Sequence, residues 1–315
     1  MKYRGVTIKG VGSCIPTKVV TNKDLEANIS TTDEWIQSKL GIVERRITSN
    51  QETPSIIGYK AALKALDNAN ISKEDLDMII VATSSPEQIS PSTACTIHNK
   101  LDIKRNVPAF DINAVCSGFV YAISIAAPLI SSGACKNILI IAAEAYSKVT
   151  NWNDQHCVFF GDGAGAVVLG SSQEGYIVSQ LQANGNGTGM TGFNLSLDKP
   201  FVMRGKEVWD QAIKVLPPSI TDVLAEAELE VKDLAMLVPH QPSINILKIV
   251  AKEVGLPMNK VKTVMDRYAN IAGASIPIAL EDAISRGEIQ IGDKVMLTAI
   301  GSGWTWGSVL LNYQK

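Results

Sequence analysis

The residues with the clearest chemical potential are few, and they are unevenly placed along the chain. All five cysteines lie in the first half: Cys14, Cys95, Cys116, Cys135 and Cys157. The histidines are His98 and His156 in the first half and His240 in the second. Any reaction that uses groups from both halves must therefore draw on a short set of side chains.

Cys116 lies in a sequence context that suits a nucleophile. A strand-like segment ends near it and an apolar helical run begins at Phe119, so the thiol is predicted at a strand-to-helix turn. The positive end of the helix dipole favours the thiolate there, and the small Ser117 and Gly118 leave room for a substrate. An inert core cysteine would have the same surroundings, so the local sequence leaves both interpretations open.

His240 and Asn270 are the polar candidates of the second half. His240 ends a buried strand-like run and is bracketed by Pro239 and Pro242, a setting that also suits a structural histidine with its hydrogen bonds satisfied. Asn270 precedes a predicted helix, where it could equally be an N-cap or turn residue. Taken singly, neither residue establishes a catalytic site.

Two glycine-rich segments, residues 161–165 and 301–303, do not fit nucleotide-binding loops. Each precedes a strand-like run instead of opening a helix, and neither carries the Lys-Ser/Thr pair of a P-loop. These glycines are expected to bring backbone N–H groups close to a substrate oxygen, or simply to turn the chain.

The composition narrows the class of protein. The 315 residues are 46% hydrophobic and 19% charged, which is typical of a large globular protein. A net charge of −2 gives little electrostatic support to nucleic-acid binding. The apolar run 138–143 is far shorter than the roughly 20 residues of a membrane span. With neither a signal-peptide pattern nor a CxxC pair, we expect a cytoplasmic protein without a zinc site or disulfide framework.

Short β-branched runs alternate with amphipathic stretches, the pattern of an α/β protein. The predicted strands are 78–82, 137–142, 167–169, 236–238 and 295–299. The predicted helices are 55–68, 119–131, 208–227, 244–254 and 274–285. Pro128 and the pair Pro217 and Pro218 are expected to kink or interrupt their helices.

The chain also contains an internal repeat. Residues 65–80 align with 223–238 at an offset of 158, residues 137–140 align with 294–297, and residues 165–169 align with 307–311. Three matches in the same order predict two similar α/β halves. A site between pseudo-symmetric halves is therefore the first place to look for function.

Six ordered motifs resemble the β-ketoacyl-acyl-carrier-protein synthase III family, thiolase-fold condensing enzymes that start fatty-acid synthesis. They are residues 32–36 with 41–46, the turn at Cys116, and residues 160–166, 238–241, 266–270 and 305–307. The resemblance implies an α/β fold of five layers, αβαβα, built from two pseudo-symmetric halves. Residues 1–170 would carry the nucleophilic cysteine, residues 171–315 would carry the histidine and asparagine, and the protein would be a homodimer.

The same resemblance implies a catalytic triad of Cys116, His240 and Asn270. Cys116 would take an acyl group from acyl coenzyme A, with the backbone N–H groups of Cys116 and Ser302 as the oxyanion hole. His240 and Asn270 would donate hydrogen bonds to the thioester carbonyl of malonyl carrier protein or malonyl coenzyme A. Loss of carbon dioxide would then give an enolate that attacks the acyl-cysteine, with no metal or redox cofactor.

The resemblance also implies residues that bind the coenzyme and the acyl group. Thr31 and Glu34 have capping-box spacing, which predicts a short helix that begins near Thr32, presents Trp35 to the adenine and ends at Gly41. Three further positions depart from the family, which commonly has Arg, Phe and Arg where this chain has Lys39, Ser90 and Asn245. Ser90 would widen the acyl pocket across the dimer, and Asn245 would weaken the hold on a phosphate.

The numbers of cysteines and histidines in the second half, and the chain length, distinguish this family from its relatives. The second half lacks the second cysteine of thiolases and the second histidine of elongating ketosynthases, and plant-type polyketide synthases are considerably longer. A decarboxylating ketosynthase is therefore the leading prediction. The alternatives are a related acyltransferase or condensing enzyme of specialised metabolism with a non-standard acceptor, and a catalytically silent acyl-binding partner.

Overall fold

The computed structural model describes residues 1–189, 191–192 and 202–314. The α-helices of this part of the chain are α1 (Asn22–Glu26), α2 (Asp33–Leu40), α3 (Pro54–Ala69), α4 (Thr93–Leu101), α5 (Gly118–Ser131), α6 (Gly205–Ala227), α7 (Ile244–Val254), α8 (Met265–Tyr268) and α9 (Ser275–Ser285). The strands are β1 (Lys2–Cys14), β2 (Lys18–Thr21), β3 (Glu44–Ile47), β4 (Met78–Ala82), β5 (Ala109–Ile112), β6 (Asn137–Ala145), β7 (Asp162–Ala183), β8 (Thr191–Gly192), β9 (Val202–Met203), β10 (Met236–Pro239), β11 (Lys294–Gly301) and β12 (Thr305–Asn312).

The predicted elements are confirmed, with small shifts at their ends. The five predicted strands lie within β4, β6, β7, β10 and β11, and the predicted helices coincide with α3, α5, α6, α7 and α9 to within three residues. None of the helices that the structure describes has the length and hydropathy needed to cross a bilayer.

The prolines do not interrupt their helices, so that part of the prediction is wrong, whereas a kink at these positions stays a prediction. Helix α5 continues through Pro128, and α6 continues through Pro217 and Pro218. A proline inside a helix removes an amide donor at a cost of about 3 kcal/mol. The neighbouring residues Ile130 and Ile220 are buried, so packing of the helix faces outweighs the lost hydrogen bonds.

The main strands form one hydrogen-bonded network in the order β10-β11-β12-β7-β6-β4-β5, and β1 also pairs with β7. Strand β4 is parallel to β5 and β6, and β10 is parallel to β11. The first part of β7 pairs with β6 and its last part pairs with β12, so this one strand joins both halves. The predicted boundary at residues 170 and 171 falls inside β7, and this division of the chain remains a prediction.

Alternating strand residues separate five layers. In β6, Leu139 packs into the core with α3 and α4, whereas Ile138 packs into a second core with α5 and α9. In β11, Val295 belongs to that same central core, whereas Met296 packs against α6 and α7. The α5 and α9 pair is therefore sandwiched between two sheet layers, which confirms the five-layered αβαβα fold.

The internal repeat extends to the backbone. Helices α3 and α6 both end at non-glycine residues in the left-handed conformation, Asn70 (φ 52°) and Glu228 (φ 61°), 158 positions apart. Short 3₁₀ turns before α5 and α9 begin at Val115 (φ 49°) and Ala272 (φ 42°), 157 positions apart. The two halves therefore place similar strained turns at the starts of the two central helices, α5 and α9. Both turns lie at the candidate active site described below.

Candidate active site

A cavity of about 720 Å³ brings most of the predicted site residues together. Its walls come from helix α2, the turn before α5, the segments after β10 and α8, and the loop between β11 and β12. The predicted residues that line it are Trp35, Lys39, Cys116, His240, Asn245, Asn270 and Ser302. Its volume suits a drug-sized ligand.

Ser90 is the predicted site residue that does not line this cavity. It is exposed on the loop that leads into α4. The structure is a single chain, so the predicted place of Ser90 across a dimer interface stays a prediction.

Cys116 lies at the predicted strand-to-helix turn, between β5 and α5. The 3₁₀ turn Val115–Ser117 carries it, with Val115 in the left-handed region that few non-glycine residues adopt. The hydroxyl of Ser117 lies 2.8 Å from the Ala114 carbonyl and 2.8 Å from the Thr305 hydroxyl, which ties the turn to β12. The thiol is thereby held at the first turn of α5.

Ser302 lies beside this turn because its neighbour is glycine. A Cβ on Gly301 would come within 2.7 Å of the Ala114 carbonyl oxygen and 3.1 Å of the Cys116 amide nitrogen. Only glycine allows the two backbones to approach this closely. The glycines of the 161–165 segment have another role, since Gly161 closely approaches the Tyr268 carbonyl and Gly165 packs against Pro277 of α9.

His240 is buried at the end of β10. Its amide N–H donates to the Thr298 carbonyl at 2.8 Å, and its Nδ1 lies 2.9 Å from Ser275 Oγ and 3.2 Å from the Ala272 carbonyl. Burial lowers the pKa of His240 to about 4, so the ring is neutral near pH 7. The Ser275 hydroxyl itself donates to the Ala272 carbonyl. Donation from His240 to a substrate oxygen requires the neutral tautomer that carries its ring proton on Nε2.

Asn270 is a turn residue whose side chain still has a hydrogen-bond donor to offer. Its main chain bonds both neighbours of Phe160: the amide N–H donates to the Phe159 carbonyl at 2.9 Å, and the carbonyl accepts from Gly161 at 3.1 Å. Its Oδ1 accepts a hydrogen bond of 2.8 Å from the Ala272 amide. Because Oδ1 is already engaged, the Nδ2 donor is the part of this amide that a substrate oxygen can use.

The protonation state of Cys116 differs from the sequence expectation. Desolvation, followed by the nearby Glu144 carboxylate, raises the pKa of the Cys116 thiol to about 12. The helix N-terminus is present as expected, but burial outweighs its effect in the resting site. The thiol is therefore protonated at pH 7, and its proton must leave during the reaction.

Helix α2 presents Trp35 and Lys39 at the cavity, one helical turn apart. The predicted N-cap is wrong by one residue: Thr32, not Thr31, accepts the hydrogen bond from the Trp35 amide at 3.1 Å. The predicted end is confirmed, since Gly41 is left-handed with φ 81°. Trp35 keeps 46% of its surface exposed, which leaves its ring available to a ligand.

Asn245 is already hydrogen-bonded to helix α2. Its side-chain amide donates to the carbonyls of Ser38 and Lys39, both at 3.1 Å, and Ser243 Oγ donates to the Lys39 carbonyl at 2.9 Å. These bonds satisfy carbonyls that the end of a helix leaves open. Asn245 therefore fixes α2 at the mouth of the cavity, and Lys39 supplies the positive charge there.

The sequence reasoning missed a polar network in the cavity wall. Glu144 is fully buried and accepts hydrogen bonds from the amide and hydroxyl groups of Ser84, and Ser84 Oγ lies 2.6 Å from the Tyr146 hydroxyl. Ser84 and Tyr146 both line the cavity. The available signal was Glu144 itself, the single charged residue of strand β6, in which Asn137 is the one other polar residue.

Comparisons with known proteins agree with this geometry. The family models for 3-oxoacyl-[acyl-carrier-protein] synthase III and for its C-terminal part match residues 110–185 and 224–313. The β-ketoacyl-[acyl-carrier-protein] synthase III of Xanthomonas campestris is 39% identical and covers 97% of this chain and 98% of its own. The structure of 3-oxoacyl-[acyl-carrier-protein] synthase III from Aquifex aeolicus has a TM-score of 0.95 at 40% identity, covering 98% and 100%. The priming β-ketosynthase of the R1128 polyketide pathway has a TM-score of 0.94 at 30% identity, covering 99% and 97%.

Fold and site together define an acyl-transferring enzyme of the thiolase fold. More narrowly, the chain belongs to the β-ketoacyl-[acyl-carrier-protein] synthase III family, and it is a condensing acyltransferase. The family predicted from the sequence motifs is thereby confirmed.

Proposed function

We propose that this protein condenses an acyl group from acyl coenzyme A with malonyl carrier protein or malonyl coenzyme A, as in the first condensation of fatty-acid synthesis. The observation that carries this proposal is the convergence of Cys116, His240 and Asn270, from three separate elements, on one cavity. The half-reactions can be followed separately, by mass spectrometry of the acylated protein and by carbon dioxide release from the malonyl substrate.

In the first half-reaction, the Cys116 sulfur attacks the donor thioester. The tetrahedral oxyanion is held by the amide N–H groups of Cys116 and Ser302, whose backbones approach closely at Gly301. The bond to coenzyme A breaks, and the acyl group remains on Cys116. Trp35 would stack on the adenine while Lys39 attracts the phosphates.

In the second half-reaction, the malonyl thioester carbonyl binds between His240 Nε2 and Asn270 Nδ2. Loss of carbon dioxide leaves an enolate, and these two uncharged donors stabilise its oxygen. The enolate carbon attacks the acyl carbon, and Cys116 departs as a thiolate. This scheme uses no metal or redox cofactor.

The working unit would be a cytoplasmic homodimer that docks acyl carrier protein. Ser90 would then face the acyl site of the partner subunit, where a small side chain admits donors bulkier than acetyl. A donor panel from acetyl to branched and longer acyl groups tests this point, and strict acetyl preference would contradict it.

A condensing enzyme of specialised metabolism is the second candidate. The observation that favours it concerns Asn245, which stands at a position where the family commonly has an arginine. Its side-chain amide already donates hydrogen bonds to helix α2. Retention of Cys116, His240 and Asn270 in one cavity argues against a silent acyl-binding partner. Product analysis with malonyl carrier protein separates the two active candidates.

A further inference from the structure

Glu144 is a buried carboxyl group to which the proposed half-reactions give no role. It lies on β6 with no exposed surface, close enough to Cys116 for its charge to raise the pKa of that thiol. Its carboxyl group accepts from the Ser84 amide at 3.1 Å and the Ser84 hydroxyl at 2.9 Å, and also from the Ser85 hydroxyl. A carboxyl group held by this many donors has a defined orientation, and these donors favour its ionised form against the effect of burial.

Two hydroxyl groups connect the Glu144 carboxyl group to the cavity, and while Glu144 is ionised each of them donates its hydrogen bond toward Glu144. An ionised carboxylate only accepts, so the Ser84 hydroxyl donates to Glu144, and the Tyr146 hydroxyl 2.6 Å away must donate to Ser84. Ser84, Tyr146 and Cys116 all line the cavity, and Cys116 packs against the cluster that contains Tyr146. Rotation of the hydroxyls reverses the chain when Glu144 is protonated.

The chemistry requires a proton carrier in this place. Cys116 loses its proton when it is acylated, and it departs as a buried thiolate at the end of condensation. Burial lowers the pKa of His240 to about 4, so its ring holds the extra proton poorly near pH 7, and the amide of Asn270 is not basic enough to hold it.

We propose that the chain Tyr146–Ser84–Glu144 carries the Cys116 proton away during acylation and returns it after condensation, an inference that rests on the proposed function. In acylation, the Cys116 S–H bond breaks, the proton passes through the cavity to the Tyr146 oxygen, the Tyr146 proton passes to Ser84, and the Ser84 proton passes to Glu144. The coenzyme A thiolate leaves and takes a proton from solvent. In condensation, the carbon–sulfur bond to Cys116 breaks and the same transfers run backwards, so each turnover consumes one solvent proton.

The pKa of Glu144 lets this carboxyl group be either protonated or ionised near pH 7. Burial raises the pKa of Glu144 to about 7, although its hydrogen bonds to Ser85 and Ser84 oppose the shift. The titratable side chains whose pKa values respond to Glu144 are Cys116 and Tyr146, and both are raised. The strand β7 presents Gly163 opposite Glu144, and the loop after β4 presents uncharged hydroxyl groups.

The first test asks whether Glu144→Gln slows or accelerates the acylation of Cys116. A relay predicts that acylation of Cys116 in single-turnover mass spectrometry slows by about 10²-fold, because the terminal proton acceptor is lost. If Glu144 acted only as a repelling charge, the variant would acylate faster than the parent. Faster or unchanged acylation therefore overturns the proposal.

The second test uses Tyr146→Phe, which keeps the ring and breaks the chain, with Tyr121→Phe as the matched control. Tyr121 bonds the Gln182 carbonyl on another element. In the parent and in the control, the acylation rate should rise with pH and level off above about pH 7. In Tyr146→Phe the rate should be about 10²-fold lower and lose this inflection.

A Tyr146→Phe profile that matches the parent overturns the relay even if Glu144→Gln does not fold. A parent protein that never forms acyl-Cys116 contradicts the proposed function, and the relay with it. A parent that acylates normally beside an unaffected Tyr146→Phe contradicts the relay alone.

Discussion

The side-chain oxygen of Asn270 accepts a hydrogen bond of 2.8 Å from the amide N–H of Ala272. This bond fixes the orientation of the amide, so that Nδ2 is the group offered to a substrate. Ala272 also contacts His240, because its carbonyl lies 3.2 Å from Nδ1. Ala272, in the turn before α9, therefore contacts both residues of the proposed decarboxylation site and orients the Asn270 amide.

Asn270→Ala and His240→Ala should each separate the two half-reactions. Either change removes one donor to the enolate, so decarboxylation of the malonyl thioester should fall by about 10²-fold or more. Acylation of Cys116 should survive in part, because the oxyanion hole is intact. Carbon dioxide release and acyl-protein mass are the two measurements, and Asn153→Ala on an exposed loop is the control. Decarboxylation at the parent rate in both variants would remove these residues from the mechanism.

Trp35→Ala tests the coenzyme contact at the exposed face of α2. The Michaelis constant for an acyl coenzyme A donor should rise, because the stacking surface is lost. A short N-acetylcysteamine thioester carries no adenine, so its kinetics should change little. Equal losses with both donors would show that Trp35 serves only to pack the helix.

Asn245→Arg restores a charge at the cavity mouth. A charge-assisted contact with phosphate contributes about 1 to 3 kcal/mol, so use of malonyl carrier protein should improve more than use of malonyl coenzyme A. Asn245→Ala is the matched control, because it removes the same hydrogen bonds to Ser38 and Lys39 without adding charge. No gain in kcat/KM for the carrier substrate would argue against a missing phosphate contact.

Glu144 should also make stability depend on pH. Its pKa rises from 4.5 to about 7 on folding, so the unfolded state ionises first as the pH increases. Between these values the folded state holds more protons, and the parent should lose up to about 3 kcal/mol of unfolding free energy relative to Glu144→Gln. Urea unfolding at pH 4.5 and pH 7.5 measures this difference, with Glu253→Gln on the surface as control. Parallel pH profiles for parent and Glu144→Gln would contradict it.

Periodicity predicted the elements well where one face of each is buried. Helix α7 was predicted with its observed bounds because its apolar residues recur on the one face that is buried. Strand β4 was also predicted with its observed bounds, but from a continuous apolar run, since both of its faces are buried. The prolines of α5 and α6 misled the prediction because propensity is local, whereas the packing that keeps those helices continuous is tertiary.

The site was predictable only in part, for a related reason. Cys116, His240 and Asn270 stood in ordered motifs, so their types and contexts could be read along the chain. The partner of Glu144 could not, because Ser84 reaches it from the loop after the adjacent strand β4, at a position that carries no special pattern, and the same hydroxyl joins it to Tyr146. The resting state of Cys116 likewise depends on burial, which the sequence around a helix start does not contain.

The most direct test of the account is sequential mass spectrometry with peptide mapping. The protein is first incubated with an acyl coenzyme A and then with malonyl carrier protein, and the site and fate of the acyl group are followed. We expect one acyl group on Cys116, which disappears as a β-ketoacyl product and carbon dioxide form. An acyl group found on Cys95 or Cys157, or one that stays on Cys116 after the malonyl substrate is added, would contradict the proposed function.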